Sequence, residues 1–225
     1  MKSLTSYQQD LIKVLIDSKA LAFGSFTLKS GRVSPYFFNM GRAVSRGDYL
    51  SIVSSCYSEK ILDTIGEDFT FIFGPAYKGI PLACSIAQDL SSRGIVRRWG
   101  YDRKEVKDYG DSRDKVLVGE IMDGDNVIMI DDVVTTGGTK VEAWDKISGL
   151  ANNISSMGVF VAVDREEKDR EGNYPRDILG KDGLELHSII TATQMFENLL
   201  NKEIEGKVLV DDEIYQSFKE YMEKY

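Results

Sequence analysis

Two adjacent carboxylates and a turn rich in hydroxyls and glycines share one short stretch, VIMIDDVVTTGGT, from Val127 to Thr139. The apolar run fits a buried parallel strand, and the turn fits the start of a helix at the carboxyl edge of a sheet, where such sheets bind ligands. Backbone N–H groups of Thr136, Gly137, Gly138 and Thr139 can converge there on an anion, with threonine hydroxyls as further donors and the glycines permitting close approach. Asp131 and Asp132 accept hydrogen bonds from hydroxyls, so beside a phosphate turn they suggest a sugar that carries both vicinal hydroxyls and a phosphate. An acidic turn with an ordinary helix cap is the alternative for TTGGT alone, and the two aspartates favour the sugar phosphate. Neither GxxxxGK(S/T) nor GxGxxG occurs here, so the P-loop and dinucleotide readings lack their defining residues.

Three further stretches carry polar groups in patterns that invite chemistry. FGPAYKGIP, Phe73 to Pro81, reads as a strand followed by a tight turn into a helix; standing alone it is a Pro/Gly turn with an exposed lysine. DRKEVKDYG, Asp102 to Gly110, lies in a segment to Lys115 that mixes acids and bases with almost nothing apolar, the composition of a surface loop. FTLKSGRVSPYFFN, Phe26 to Asn39, sets two β-prone runs around the turn-forming Lys29-Ser30-Gly31-Arg32, a hairpin in which Phe37 and Phe38 would ordinarily be core residues. The only histidine, His187, sits in a β-like run without a serine elbow, which argues against a nucleophile triad.

The elements that must position these groups follow an α/β pattern. Leu11, Leu15, Ile16 and Leu21 recur at helical spacing, predicting one amphipathic helix over the first 20 or so residues. From Gly47 helices alternate with short apolar runs: a helix through Ile52, Cys56 and Ile61, a strand at Phe69 to Phe73, and a helix from about Lys78 to Ser92. Strands at Ile95 to Tyr101, Val127 to Ile130, Gly158 to Val163 and Leu184 to Ile190 continue the series, with a helix to about Leu150 after the second of them. Such alternation predicts a mostly parallel central sheet flanked by helices. Arg165 to Asp182 is a second charged stretch. Thr191 with Gln194 fits a capping box, and Asp211 and Asp212 suit the start of a terminal helix. We expect a single domain over 1–225, with N-terminal helix and hairpin elements in 1–46, a core in 47–190 and C-terminal helices in 191–225.

Composition excludes several classes. At 225 residues, with 28% charged and 42% hydrophobic residues, the chain can bury one good-sized core. A formal net charge of -8 provides no long-range attraction for a polyanion, so a nucleic-acid partner is not expected. No apolar run approaches the roughly 18 residues of a membrane span, and the N-terminus has no signal-like apolar core. Cys56 and Cys84, far outside CxxC spacing and each in an apolar helical pattern, read as buried reduced thiols, which suits a cytoplasmic location.

DDVVTTGGT resembles the ribose-5-phosphate signature of the type I phosphoribosyltransferases, and the four stretches together, in family order from Phe26 to Arg165, resemble the orotate phosphoribosyltransferases. The resemblance implies that family's fold, with the N-terminal helix and hairpin as a hood. It places Asp131 and Asp132 on the ribose 2- and 3-hydroxyls and the 5-phosphate in the turn, so that Asp131, Asp132, Val133, Val134, Thr135, Thr136, Gly137, Gly138 and Thr139 bind the phosphoribosyl group. FGPAYKGIP is similar to the family's diphosphate loop, in which a strained peptide turns the backbone toward the diphosphate, and so implies that Tyr77 and Lys78 contact it. DRKEVKDYG is similar to the loop that closes over diphosphate and, in the family's dimers, reaches the partner's site. Arg103, Lys104 and Lys107 would bind diphosphate, with Lys107 and Asp108 nearest the chemistry. Lys29 would join them at the phosphoribosyl diphosphate, while Phe37, Phe38, Thr135 and Arg165 would hold orotate. Tyr109 stands where the family usually has histidine, and Asp111 to Val116 replaces a usually shorter, glycine-richer stretch.

The activity so implied is transfer of a 5-phosphoribosyl group from 5-phospho-α-D-ribose 1-diphosphate to N1 of orotate. It uses Mg2+ held mainly through the substrate, in a homodimer with shared active sites. A purine phosphoribosyltransferase would share the ribose motif but leaves the hairpin and the lysine-rich loop unexplained. A regulator that senses the same ligand without reacting it would not need Lys107 on a closing loop.

Overall fold

The computed structural model describes residues 3–28, 31–105, 115–134 and 137–225. Its first helix, α1 (Ser6–Asp17), opens with a capping box in which Thr5 and Gln8 satisfy each other's backbone N–H groups. It buries Leu11, Ile12, Val14 and Leu15. Leu21 does not extend this helix: Lys19 turns the chain at φ 56, and Leu21 begins the strand β1 (Leu21–Thr27). β1 pairs antiparallel with β2 (Val33–Phe38), giving the expected hairpin with an earlier start and an irregularity between Phe23 and Phe26. Leu28 N–H donates to Arg32 C=O at 2.8 Å and closes its turn.

A short helix α2 (Met40–Ala43), capped by Asn39, leads into α3 (Gly47–Ile65). The main sheet then grows through β3 (Phe71–Phe73), helix α4 (Gly79–Ser92), β4 (Arg98–Asp102), β5 (Leu117–Val118) and β6 (Asn126–Val134). Helix α5 (Gly138–Ser148), β7 (Ser155–Asp164), α6 (Pro175–Lys181) and β8 (Leu186–Thr191) complete it. The strand order is β5-β4-β3-β6-β7-β8, parallel except for the antiparallel edge strand β5. The chain leaves β3 toward β4 on one side and β6 toward β7 on the other, so β3 and β6 flank a topological switch point, where α/β sheets open a ligand crevice.

Alternation along the strands divides the core between the sheet faces. Ile72, Ile128, Ile130, Phe160 and Ala162 face the cluster that holds α1, α3 and α4, whereas Phe71, Phe73, Val127, Met129, Val159 and Val161 face α5 and α6. The expected capping box at Thr191 and Gln194 opens α7 (Ala192–Leu199). After a small pair of strands, β9 (Glu203–Ile204) and β10 (Lys207–Val208), Asp211 caps α8 (Asp212–Lys224), which packs Phe218 and Tyr221 against Tyr36 of the hairpin. Among the described residues no helix is long and apolar enough to cross a membrane.

Two expectations need correction. Cys56 is buried, and burial pushes its thiol up to about 12, but Cys84 is exposed because it lies on the outer side of α4. Asp102 does not begin a solvated loop: it ends β4 and is 2% exposed.

Candidate active site

β6 delivers the paired acids. The strand runs on past its apolar stretch, and its pleat gives the two carboxylates different surroundings: Asp131 is partly exposed and Asp132 is buried. Each has its own lysine. Lys140 Nζ, in the first turn of α5, lies 2.6 Å from Asp131 Oδ2 and donates to the Val133 carbonyl at 3.0 Å. Lys78 Nζ, at the entrance of α4, lies 2.5 Å from Asp132 Oδ2. Behind them the buried Tyr57 hydroxyl donates to the Asp131 carbonyl at 2.7 Å. Burial holds the Asp132 carboxyl above its ordinary range; the Lys78 ammonium opposes that rise and the Asp131 charge adds to it.

The turn after β6 leads into a helix whose first amides lack a side-chain cap. Gly137 sits at φ 84, a conformation that favours glycine, and no side chain caps α5 there. The Gly138 and Thr139 N–H groups therefore stand at the positive end of a helix, with the donor geometry that binds a phosphate. α4 likewise begins at Lys78 without a side-chain cap.

The loop between β3 and α4 is folded tightly on itself. A Cβ on Gly74 would stand 2.2 Å from the Gly79 carbonyl oxygen, and one on Gly79 would stand 2.7 Å from both Gly74 C and Ile130 O. Only glycine at both positions lets the loop ends approach each other and β6 this closely. The Ala76–Tyr77 peptide is cis. Ala76 N–H donates to Asp102 Oδ1 at 2.6 Å. Tyr77 is 72% exposed, and Lys104 Nζ lies 5.8 Å from its ring centroid.

These pieces enclose a cavity of about 260 Å³, bringing Tyr77, Lys78, Lys104, Asp131, Asp132 and Thr139 together from three separate stretches of sequence. Val134 is buried in the core, so only its backbone is available to a ligand. Phe37, Phe38 and Arg165 do not line the cavity. The Phe37 ring packs 5.7 Å from Phe26, and Phe38 lies against the main core. Arg165 is buried after β7, with Nε and Nη2 donating to Glu167 Oε1 at 2.8 and 2.6 Å and its guanidinium 4.7 Å from the Tyr36 ring centroid. Lys29, Lys107, Asp108, Tyr109, Thr135 and Thr136 lie outside the described residues. A larger cavity of about 580 Å³, between the hairpin and α8, holds none of the paired acids or their lysines.

Lys140, Glu142 and Lys146 escaped the reading of the sequence, which took Asp102 only as the start of a surface loop, although all but Lys140 line the cavity. Thr139, Glu142, Ala143 and Lys146 follow i, i+3, i+4, i+7 spacing from the turn, and that signal would have placed them on one face of α5.

Residues 49–196 match the model of the phosphoribosyl transferase domain, a span that runs from α3 to α7 and includes the whole cavity. An orotate phosphoribosyltransferase of Agathobacter rectalis is 38% identical over 227 aligned residues, covering 99% of each chain. The chain belongs to the orotate phosphoribosyltransferase family. An orotate phosphoribosyltransferase of Clostridium acetobutylicum is 36% identical, again over 99% of both chains. The crystal structure of an orotate phosphoribosyltransferase from Francisella tularensis superimposes with a TM-score of 0.79 at 31% identity, covering 95% of this chain and 98% of that one. The sheet with its crossovers is thus the type I phosphoribosyltransferase fold, and membership in the orotate phosphoribosyltransferases extends across the hairpin and α8 as well as the sheet.

Proposed function

We propose that the chain transfers the 5-phosphoribosyl group of phosphoribosyl diphosphate to N1 of orotate, releasing diphosphate and orotidine 5-phosphate in pyrimidine nucleotide synthesis. The observation that carries the reading is the cavity itself, where paired carboxylates and an uncapped helix start face a loop carrying Lys78. Asp131 and Asp132 accept the ribose 2- and 3-hydroxyls, and the turn with Thr135, Thr136, Gly137, Gly138 and Thr139 takes the 5-phosphate. Tyr77, Lys78, Arg103, Lys104 and Lys107 receive diphosphate, and Lys29 supplies a further cation from the hairpin.

Attack by N1 on the anomeric carbon forms the glycosidic bond as the bond to diphosphate breaks, with inversion, and the N1 proton is released to the departing diphosphate or to solvent. Positive charge grows on the sugar ring beside the carboxylates, and negative charge grows on the leaving oxygen beside the lysines. Catalysis on this reading comes from positioning and electrostatics rather than a covalent intermediate. The hard carboxylate oxygens of Asp131 and Asp132 fit Mg2+ held mainly through the substrate, which when bound would neutralise diphosphate charge. Phe37, Phe38 and Thr135 receive the flat orotate ring, and Arg165 its carboxylate, once Arg165 shares its donors with the ligand as well as with Glu167. The active species is a cytoplasmic homodimer with active sites shared across the interface.

With phosphoribosyl diphosphate and magnesium present, orotate absorbance falls while uracil, adenine and hypoxanthine persist. Consumption of a purine base in place of orotate contradicts the assignment.

A pH profile tests the acid pair separately. Because the folded Asp132 carboxyl lies above the ordinary value of about 3.9, the acid limb of kcat/KM for phosphoribosyl diphosphate falls above that value. Lys78 lowers the Asp132 pKa, so Lys78→Met raises it and leaves less carboxylate at a given acidic pH. The limb then moves to higher pH, whereas an unmoved or lowered limb removes Asp132 from the titrating role.

A further inference from the structure

We propose that Lys146 is an additional diphosphate-binding cation, held in place by the buried carboxylate of Asp102; the inference rests on the assignment of the Gly74–Gly79 loop to diphosphate. Asp102 ends β4 at 2% exposure, where a carboxylate must find partners. Its two oxygens go to different walls of the cavity: Oδ1 accepts from Ala76 N–H of the loop at 2.6 Å, and Oδ2 accepts from Lys146 Nζ of α5 at 3.0 Å. One buried group thereby ties the loop to the helix whose first turn begins the phosphate site. Lys146 stands two helical turns beyond Thr139 on the same face; its side chain is 42% exposed, and it lines the cavity.

The charge arrangement gives this placement a use. Lys78, the loop's own lysine, is drawn toward the sugar side by Asp132. Lys146 is linked to the loop through Asp102, whose other oxygen accepts from Ala76 N–H, and an ammonium has three donors, so the bond to Asp102 leaves capacity for an anion. The pairing with Asp102 also fixes a long flexible side chain before the ligand arrives, which reduces the ordering that binding requires. Because Asp102 is buried, removing the lysine leaves its carboxylate short of a partner and costs stability, while the exposed part of the Lys146 side chain stays open to a ligand. The geometry therefore points to ligand binding, with Asp102 as the positioning residue.

Titration calorimetry of the full chain with diphosphate in magnesium, and separately with ribose 5-phosphate, reads the two halves of the cavity apart. Lys146→Met weakens diphosphate by about tenfold, the scale of one charged hydrogen bond, and leaves ribose 5-phosphate affinity unchanged, with a lower Tm because the buried Asp102 loses a partner. Lys146→Arg restores most of the loss. Asp102→Asn keeps an acceptor for Ala76 N–H but loses the attraction to Lys146, so it weakens diphosphate by less. If the wild type binds diphosphate and Lys146→Met binds it equally well, the inference falls. A loss shared equally by both ligands assigns Lys146 a structural role and also overturns it. Failure of the wild type to bind diphosphate overturns the loop assignment first, and the inference with it.

Discussion

Gly79→Ala lowers kcat/KM for phosphoribosyl diphosphate by about 10²-fold or more while the protein still folds. The added methyl carbon would meet Gly74 C and Ile130 O at 2.7 Å and Pro75 Cδ at 2.9 Å, with no flexible side-chain end among them to yield. The loop or the start of α4 must shift instead, carrying Ala76, Tyr77 and Lys78 away from the cavity. A displacement of about 1 Å at a positioning element is enough for a 10²-fold loss. Overpacking of this kind costs about 1–3 kcal/mol, less than the roughly 5–15 kcal/mol of a typical domain, so a cooperative melting transition survives at lower Tm. Gly149→Ala is the control, since its new Cβ meets nothing within 4 Å and its φ is -91. Near-normal kinetics in Gly79→Ala, measured alongside that control, show that the Gly74–Gly79 loop does not position the substrate.

The second large effect belongs to Lys107→Ala, which lowers kcat by about 10²- to 10³-fold, the scale of removing one donor aimed at charge that develops in the transition state. Its motif begins at Asp102, the end of β4, and of the described part, Asp102 to Glu105, Asp102 and Lys104 line the cavity. Negative charge increases on diphosphate only as the bond to the sugar breaks, so a cation that meets it there affects turnover more than it affects the monophosphate product. Orotidine 5-phosphate binding is therefore nearly unchanged in Lys107→Ala. Near-normal turnover rejects the role, and an equal loss in product binding assigns Lys107 to uniform binding instead.

The sheet and the acid-pair half of the cavity were legible in the sequence because they rest on local patterns. The apolar run from Val127, the two aspartates and the Gly137-Gly138 turn specify a strand, its edge and a helix start within thirteen consecutive positions. Capping at Thr191 and Asp211 was readable for the same reason. The lysines of α5 were not: Lys140 and Lys146 look like solvent-facing helix residues until the fold brings Asp131 and Asp102 to them. Asp102 was hidden by its charged successors, since nothing in YDRKE marks where the strand stops and solvent begins. Leu21 fitted the helical period of α1 by spacing alone, whereas the turn at Lys19 and pairing with Phe38 decided its conformation. Arg165 was found as a residue, but its contact with the Tyr36 ring comes from a strand end meeting the hairpin, which short-range pattern cannot show.

Phosphorus NMR of the wild-type chain with magnesium, orotate and phosphoribosyl diphosphate tests the central claim most directly. Phosphoribosyl diphosphate signals give way to equal amounts of diphosphate and a nucleoside 5-monophosphate, and only when orotate is present. Unchanged phosphoribosyl diphosphate, or release of diphosphate that does not depend on orotate, contradicts it.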